Sequence, residues 1–254
     1  MRLGVRLLVG VVLAWAAVAL GEVLVVPTPA GASMVPDSVA VSGVPAVGTL
    51  FTLDKNGTLG THFCTGSVVA SPAGDLVLTA AHCVSGLKAG AFAFVPNYDD
   101  GKHPYGVWPV TKVVVDQAWT TSENVNDDFA FLFVHQAGNK KTIQDDTGAE
   151  QLGIDFPPDK LLKVIGYPDS ANAPISCENL MLLFTSTQLQ FDCNGYTDGT
   201  SGSPLVVGFN SATGVGTVVG VIGGFEQGGY TPSVSYAARF ETNMTLLYRE
   251  VIGL

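Results

Sequence analysis

Ser201 lies in the segment DGTSGSP (residues 198–204), where small residues flank it on both sides. A serine that attacks a carbonyl group must be exposed on a tight turn, with backbone N–H groups nearby that can donate to the developing oxyanion. The glycines at 199 and 202 permit both, because glycine adopts backbone angles that other residues avoid and lets a second molecule approach closely. The segment is also typical of a plain hairpin, since an apolar run follows Pro204. Whether this segment is a catalytic turn or a plain hairpin therefore depends on the rest of the chain.

His82 follows an apolar run (residues 76–78) and the small residues TAA (79–81). Small residues let the chain turn tightly, so the imidazole can project from the end of a strand. A single histidine is more often a surface or core residue, and three others are interpreted that way because they lack such a setting: His62, His103 and His135. No third ligand lies at a suitable spacing from His62 and His82, so no metal site is predicted.

Asp128 directly precedes residues 129–132 (FAFL), a strand that is apolar at every position. Such a strand is buried on both faces, which places Asp128 near the interior, where a carboxylate needs hydrogen-bond donors. An imidazole N–H is a suitable donor, because the acid would hold the tautomer of the ring and stabilise its cationic form. Two alternatives stay open: Asp127 is the neighbouring candidate, and an aspartate can simply cap the turn before a strand.

The composition predicts the scaffold that must position these side chains. At 254 residues the chain suits one large domain or two small ones, and 47% apolar with 13% charged residues argues against disorder. Glycine (30) and proline (14) are plentiful, and Val, Thr and Phe outnumber Lys, Glu and Arg, which favours an all-β fold with many turns.

Short Val-, Phe- and Thr-rich runs bounded by turn residues form two groups of about six strands. The predicted runs are 47–53, 63–70, 76–79, 91–95, 110–115 and 129–134, then 161–166, 180–184, 188–191, 204–207, 215–222 and 234–237. Apolar residues at helical spacing over 240–252 predict a terminal helix. The expected fold is therefore all-β, with two packed six-stranded β-barrels and a C-terminal helix. The lobes would span 45–137 and 161–254, joined by a polar connector over 138–160.

The N-terminal residues resemble an export signal rather than part of the fold. Arg2 and Arg6 precede an apolar stretch (7–20), and residues 30–32 (AGA) offer a small-residue cleavage site. We therefore predict a signal peptide over 1–32, a pro-segment or arm over 33–44, and a secreted protein. An uncleaved membrane anchor is the alternative, but prolines at 27 and 29 interrupt the apolar stretch.

The cysteines agree with export. An even number of cysteines in an exported chain implies disulfides, and proximity favours Cys64–Cys83 and Cys177–Cys193, although the sequence alone allows three pairings. No C-x-x-C pair suggests zinc, and YDDG (98–101) is better interpreted as a turn than as an ion site. A net charge of -10 argues against a nucleic-acid partner. No cofactor or metal is predicted.

In chain order His82, Asp128 and Ser201 resemble the catalytic residues of secreted bacterial trypsin-like serine proteases, which have the chymotrypsin fold. TAAHC (79–83), DFAFL (128–132) and GTSGSP (199–204) match the family's three motifs in the right order. The resemblance implies that Ser201 is the nucleophile, His82 the general base and Asp128 the orienting acid. It also implies an oxyanion hole formed by the N–H groups of Gly199 and Ser201. The partner would be a polypeptide substrate, bound by a monomer without stable membrane association after signal cleavage.

Two positions depart from the digestive members of that family. Thr200 replaces the acid that pairs with a new N-terminus on activation, so changes around 33–44 are expected to leave turnover almost unchanged. Gly195 stands where trypsin types carry a pocket-floor aspartate, which favours small or apolar substrate side chains, although Glu226 or Asp198 could supply a charge. The pocket wall is expected from residues 221–225, which include Gly223, Gly224 and Phe225.

Two other functions compete with this interpretation. A serine esterase of the α/β-hydrolase type would need G-x-S-x-G, but position 203 is serine, and its order Ser…Asp…His differs from the order found here. A protease-like binding module that has lost activity is the non-enzyme alternative. Such modules usually lack one catalytic group, whereas all three candidates are present here.

Overall fold

The computed structural model describes residues 35–253, so the expected signal peptide (1–32) lies outside the described residues. Within 35–253, no helix is both long enough and apolar enough to cross a membrane.

Strands dominate the described chain. They are β1 (Val39–Ala40), β2 (Val47–Leu53), β3 (Leu59–Val69), β4 (Leu76–Thr79), β5 (Phe92–Pro96), β6 (Trp108–Val115), β7 (Ala130–Val134), β8 (Gln151–Leu152), β9 (Leu161–Gly166), β10 (Ile175–Leu183), β11 (Gln188–Asp192), β12 (Pro204–Asn210), β13 (Val215–Val221) and β14 (Val234–Ala238). The α-helices are α1 (Ala81–Val84), α2 (Gln117–Ser122), α3 (Ile143–Thr147) and α4 (Thr242–Val251).

The first six long strands close into a barrel in the order β2-β3-β4-β7-β6-β5. All neighbours along this path pair antiparallel. All four residues of β4 are buried, because the strand is covered on both faces. This burial explains why β4 and β7 are apolar almost throughout rather than alternating.

The second group of strands forms a barrel-like sheet in the order β14-β11-β10-β9-β12-β13-β8, with β1 added beside β10. An antiparallel bridge between Ile222 and Ala237 joins β14, at one end of this order, to the residue that follows β13 near the other end. The all-β prediction with two barrels and a C-terminal helix is thus confirmed. The sheet gains two short strands that the six-strand prediction omits: β1 from the N-terminal arm and β8 from the connector.

An apolar cluster that includes helix α4 ties the two sheets together. Leu76, Phe129 and Phe131 of the first barrel share it with Val218 and Val221 of the second sheet, and Met244 and Leu247 of α4 pack into the same cluster. These contacts hold the end of β4, the start of β7 and the end of β13 in fixed positions. The His82 motif lies at the end of β4 and the Asp128 motif at the start of β7. The Ser201 motif leads into β12, whose first residue, Pro204, pairs with Val221 at the end of β13.

Candidate active site

His82 and Asp128 are joined by hydrogen bonds at two atoms. The His82 Nδ1 and Asp128 Oδ2 atoms are 2.8 Å apart, and the backbone N–H of His82 donates to Oδ1 at 2.8 Å. Because a carboxylate can only accept, Nδ1 donates this hydrogen bond, and in the neutral ring Nε2 is then an acceptor. Asp128 is fully buried, and it also accepts the N–H of Gly224 at 2.7 Å. The acid therefore has its donors, as its burial requires.

Asp127 faces a different set of partners. Its carboxylate accepts from Asn124 Nδ2 at 2.6 Å and from Asn243 Nδ2 at 2.8 Å. Burial raises the pKa of Asp127, and the hydrogen bond from Asn243 opposes that rise. Asp127 thus anchors its loop to helix α4, while Asp128 contacts the imidazole.

The turn that carries His82 is fixed on both sides. His82 lies in α1, one short turn after strand β4, where Ala80 and Ala81 are fully buried. A disulfide joins the adjacent Cys83 to Cys64 on strand β3, and a second disulfide joins Cys177 to Cys193. These are the pairings that proximity in the sequence favours.

The Ser201 turn packs against the same part of the first barrel. The Ser201 carbonyl accepts the N–H of Thr65 at 2.8 Å, and Thr65 follows Cys64 in strand β3. A β-carbon at Gly202 would overlap Thr65 O and Thr79 Oγ1 and lie 3.1 Å from Ala80 N, so only glycine allows this approach. Among residues 35–253, no hydrogen bond joins the Ser201 hydroxyl to the His82 ring. Such contacts are commonly loose before substrate binds.

The N–H groups of Gly199 and Ser201 differ from those of their neighbours in having no hydrogen-bond acceptor among residues 35–253. In the described part of the chain neither donates to a protein acceptor, whereas the N–H groups of Thr200, Gly202 and Ser203 all do. Gly199 has a φ of +89°, and a β-carbon there would overlap the backbone of Tyr167 and Asp169. Glycine is thus required at position 199 by both the backbone angle and the space.

A cleft of about 500 Å³ opens beside Ser201. Tyr196, Ile222 and Ser235 line it together with residues 227–232 and 197–198, and Asp169 and Ser170 lie at the same opening. Asp169 and Asp198 are exposed, and no Lys, Arg or His within residues 35–253 lines the cleft. The opening is therefore negatively charged.

Of the expected pocket wall (221–225), Ile222 lines the cleft, whereas Gly195, Gly223, Gly224 and Phe225 lie outside its lining. The α-carbon of Gly195 faces Ser38 of the N-terminal arm and Ile175. Gly223 faces the Asp128 carboxylate, and the N–H of Phe225 donates to Gln188 Oε1 at 3.0 Å. Sequence reasoning missed Asp169 and Ser235, which are distant from every motif. The Gly228–Gly229 dipeptide is the signal for this part of the lining that the sequence offers, because paired glycines mark a turn. Both residues have positive φ in the structure.

Cys64, His82 and Cys83 also place three potential metal-ligand atoms within 4.8 Å of one another. Both sulfurs are joined in a disulfide, so neither is available as a thiolate ligand. The cluster therefore positions the histidine and is not a metal site.

Three comparisons with known proteins bear on this arrangement. The crystal structure of the protease Anisep from Arthrobacter nicotinovorans is similar, with 24% identity, a TM-score of 0.71, and coverage of 85% of this chain and 100% of that one. The thermostable serine protease AL20 from an extremophilic microorganism has 25% identity, a TM-score of 0.68, and coverage of 82% and 97%. A Glu endopeptidase in complex with MPD shares 15% identity over 86% and 98% of the chains, with a TM-score of 0.65. Curated protein sequences yield no match.

The similarity to Anisep and to the Glu endopeptidase concerns the fold. The sequence relationship comes from the model of the trypsin family, which matches residues 40–240. That range contains both sheets and all three motifs. The chain therefore belongs to the trypsin family of serine proteases.

Proposed function

We propose that this protein is a secreted serine endopeptidase that hydrolyses polypeptides through an acyl-enzyme intermediate. The observation that carries the proposal is the His82–Asp128 hydrogen bond of 2.8 Å, which makes Nδ1 the donor and so leaves Nε2 of the neutral ring available as the base. Family membership supports a protease, and the complete set of catalytic groups favours an active enzyme over a binding module.

Each group has a role that its contacts support. Ser201 Oγ attacks the scissile carbonyl carbon while its proton passes to His82 Nε2, and Asp128 stabilises the imidazolium that results. The N–H groups of Gly199 and Ser201 donate to the oxyanion. His82 then gives the proton to the leaving amine as the C–N bond breaks, and water repeats the sequence to release the acid.

The substrate side chain would enter the cleft lined by Tyr196, Ile222 and Ser235. These residues are uncharged, and the acids lie at the opening. This supports the expectation of a small or apolar residue in the cleft itself. Export is supported by the two disulfides, because disulfides persist in oxidising compartments.

Labelling with a fluorophosphonate tests the proposal. The full chain is expressed in an exporting host, and the exported product is collected. We expect labelling of Ser201 in the wild type, and none in Ser201→Ala or His82→Ala. An unlabelled wild type that cleaves nothing in a mixed peptide library would establish the binding module instead. N-terminal sequencing of the exported product tests cleavage near residue 32.

A further inference from the structure

We propose that Thr65 is a positioning residue that sets the geometry of the oxyanion hole. The inference rests on the proposed function, because it concerns how the N–H groups of Gly199 and Ser201 are aimed. None of the three sequence motifs contains Thr65, and it lies more than 130 positions before the Ser201 turn, as the sequence separation of 134 from Gly199 shows.

Thr65 uses its backbone and its hydroxyl to hold the Ser201 turn. It is fully buried on β3. Its N–H donates to the Ser201 carbonyl at 2.8 Å, and its Oγ1 donates to the Gly199 carbonyl at 3.0 Å. The same Oγ1 accepts the N–H of Tyr167 at 2.9 Å. The donor of this hydroxyl is therefore fully used, and its acceptor side is occupied as well.

Planar peptide groups transmit these contacts to the oxyanion donors. The C=O and N–H of a trans peptide point in opposite directions, so holding the oxygen also sets the N–H. The Ser201 N–H lies in the peptide that follows Thr200, between the two peptides whose oxygens Thr65 holds. The Thr200 carbonyl itself accepts from Ser203 N at 3.0 Å and from Ser203 Oγ at 2.6 Å.

The Gly199 N–H is set through a second path. It belongs to the peptide whose oxygen, on Asp198, accepts the N–H of Asp169 at 2.8 Å. The Thr65 hydroxyl anchors Tyr167, two residues earlier in that segment. Because glycine rotates more freely than other residues, a peptide beside Gly199 needs such restraint to keep one orientation. Thr65 thus acts on both donors.

The chain offers a matched control in Thr49. Thr49 is the cross-strand partner of Thr65 on β2, is fully buried, and donates its hydroxyl to Cys64 O at 2.8 Å. It contacts the same sheet without a hydrogen bond to the Ser201 turn. Loss of either hydroxyl therefore removes a buried hydrogen bond. Only loss of the Thr65 hydroxyl should affect the N–H groups of Gly199 and Ser201.

The experiment compares Thr65→Val, Thr65→Ser and Thr49→Val in the exported full-chain product. For Thr65→Val we expect kcat to fall about 100-fold with KM within about twofold, the pattern of a contribution made in the transition state. Thr65→Ser keeps the hydroxyl and should recover most of kcat. A peptide aldehyde, which forms a tetrahedral adduct, should lose affinity for Thr65→Val far more than a product peptide does. If Thr65→Val does not fold, Thr65→Ala replaces it.

Equal kcat values for Thr65→Val and Thr49→Val, at a temperature where both are folded, would overturn the proposal. So would a loss in Thr65→Val that Thr65→Ser fails to restore. Amide hydrogen exchange of residues 198–203 is measured in parallel. An inactive, unlabelled wild type refutes the proposed function and with it the oxyanion role. In an active enzyme, exchange that Thr65→Val leaves unchanged refutes the Thr65 inference alone.

Discussion

Asp128 holds His82 by ring and by backbone, since Oδ2 lies 2.8 Å from Nδ1 while Oδ1 accepts the backbone N–H at 2.8 Å. This double contact fixes both the tautomer of the ring and the turn that carries it. An acid in this position does more than balance charge, because it determines which ring nitrogen carries the proton in the neutral imidazole.

Asp128→Asn is expected to lower kcat by about 10⁴-fold, because an amide can stabilise the wrong tautomer and cannot stabilise the imidazolium. Steady-state hydrolysis of a peptide substrate measures the change. Asp127→Asn is the control, since Asp127 contacts Asn124 and Asn243 rather than His82. It should retain most of the activity, and a comparable loss in both variants would contradict the assignment.

Asp198→Asn is expected to change which substrates are preferred. Asp169 and Asp198 are exposed at the cleft, so acidic residues near the scissile bond should slow cleavage. Removal of one charge should raise kcat/KM for an acidic peptide by about two- to fivefold and leave a neutral peptide unchanged, since exposed charge interactions are weak. Near 1 M salt the gain should disappear. A gain that persists at high salt would exclude charge as its cause.

Glu150→Gln is expected to stabilise the protein at alkaline pH. Glu150 is fully buried; Oε2 accepts from Gly216 N at 2.5 Å, and Oε1 has no partner among the described residues. Burial raises its pKa from 4.5 to about 7. An acid whose pKa is raised in the folded state binds more protons when folded, so stability falls as pH rises from about 4.5 to 7.

Full ionisation of Glu150 is expected to lower the free energy of unfolding by about 3 kcal/mol. Denaturant melts at pH 5 and pH 8 measure it. We expect the wild type to lose stability between these values and Glu150→Gln to lose much less. If the free energies of unfolding of the wild type and Glu150→Gln changed with pH in parallel, the pKa of Glu150 would not be raised by folding.

Deletion of residues 35–41 is expected to lower both the melting temperature and turnover. The Asn194 N–H donates to Pro36 O at 2.8 Å, the Ser38 N–H donates to Asn194 O at 3.0 Å, and β1 pairs with β10. Asn194 lies shortly before Tyr196, which lines the cleft. From the sequence we expect changes around 33–44 to leave turnover almost unchanged. With these contacts we expect that result only for changes before residue 35.

The reason for expecting no charge switch still holds. Thr200 is almost fully buried, and its hydroxyl donates to Thr197 O at 2.7 Å, so its surroundings need no ammonium group. Residues added before Val35 should thus leave kcat unchanged. A collapse of turnover on such an extension would show that a free N-terminus takes part.

Local sequence patterns determine much of the secondary structure of this protein. The predicted strands Val47–Leu53, Leu76–Thr79 and Leu161–Gly166 have the bounds found in the structure, because short apolar runs and the turn residues that bound them act over a few positions. The three motifs were visible for the same reason, since each is contiguous. Composition was enough to predict the all-β class.

Only the tertiary structure could show what meets across the chain. Asp127 and Asp128 are neighbours in sequence, and burial between β7 and the His82 turn directs one toward the imidazole and the other toward helix α4. The arm strand β1 and the Thr65 contacts join residues more than a hundred positions apart, and the cleft lining joins residues between 169 and 235. Such contacts depend on the packing of two sheets, which no short-range periodicity encodes.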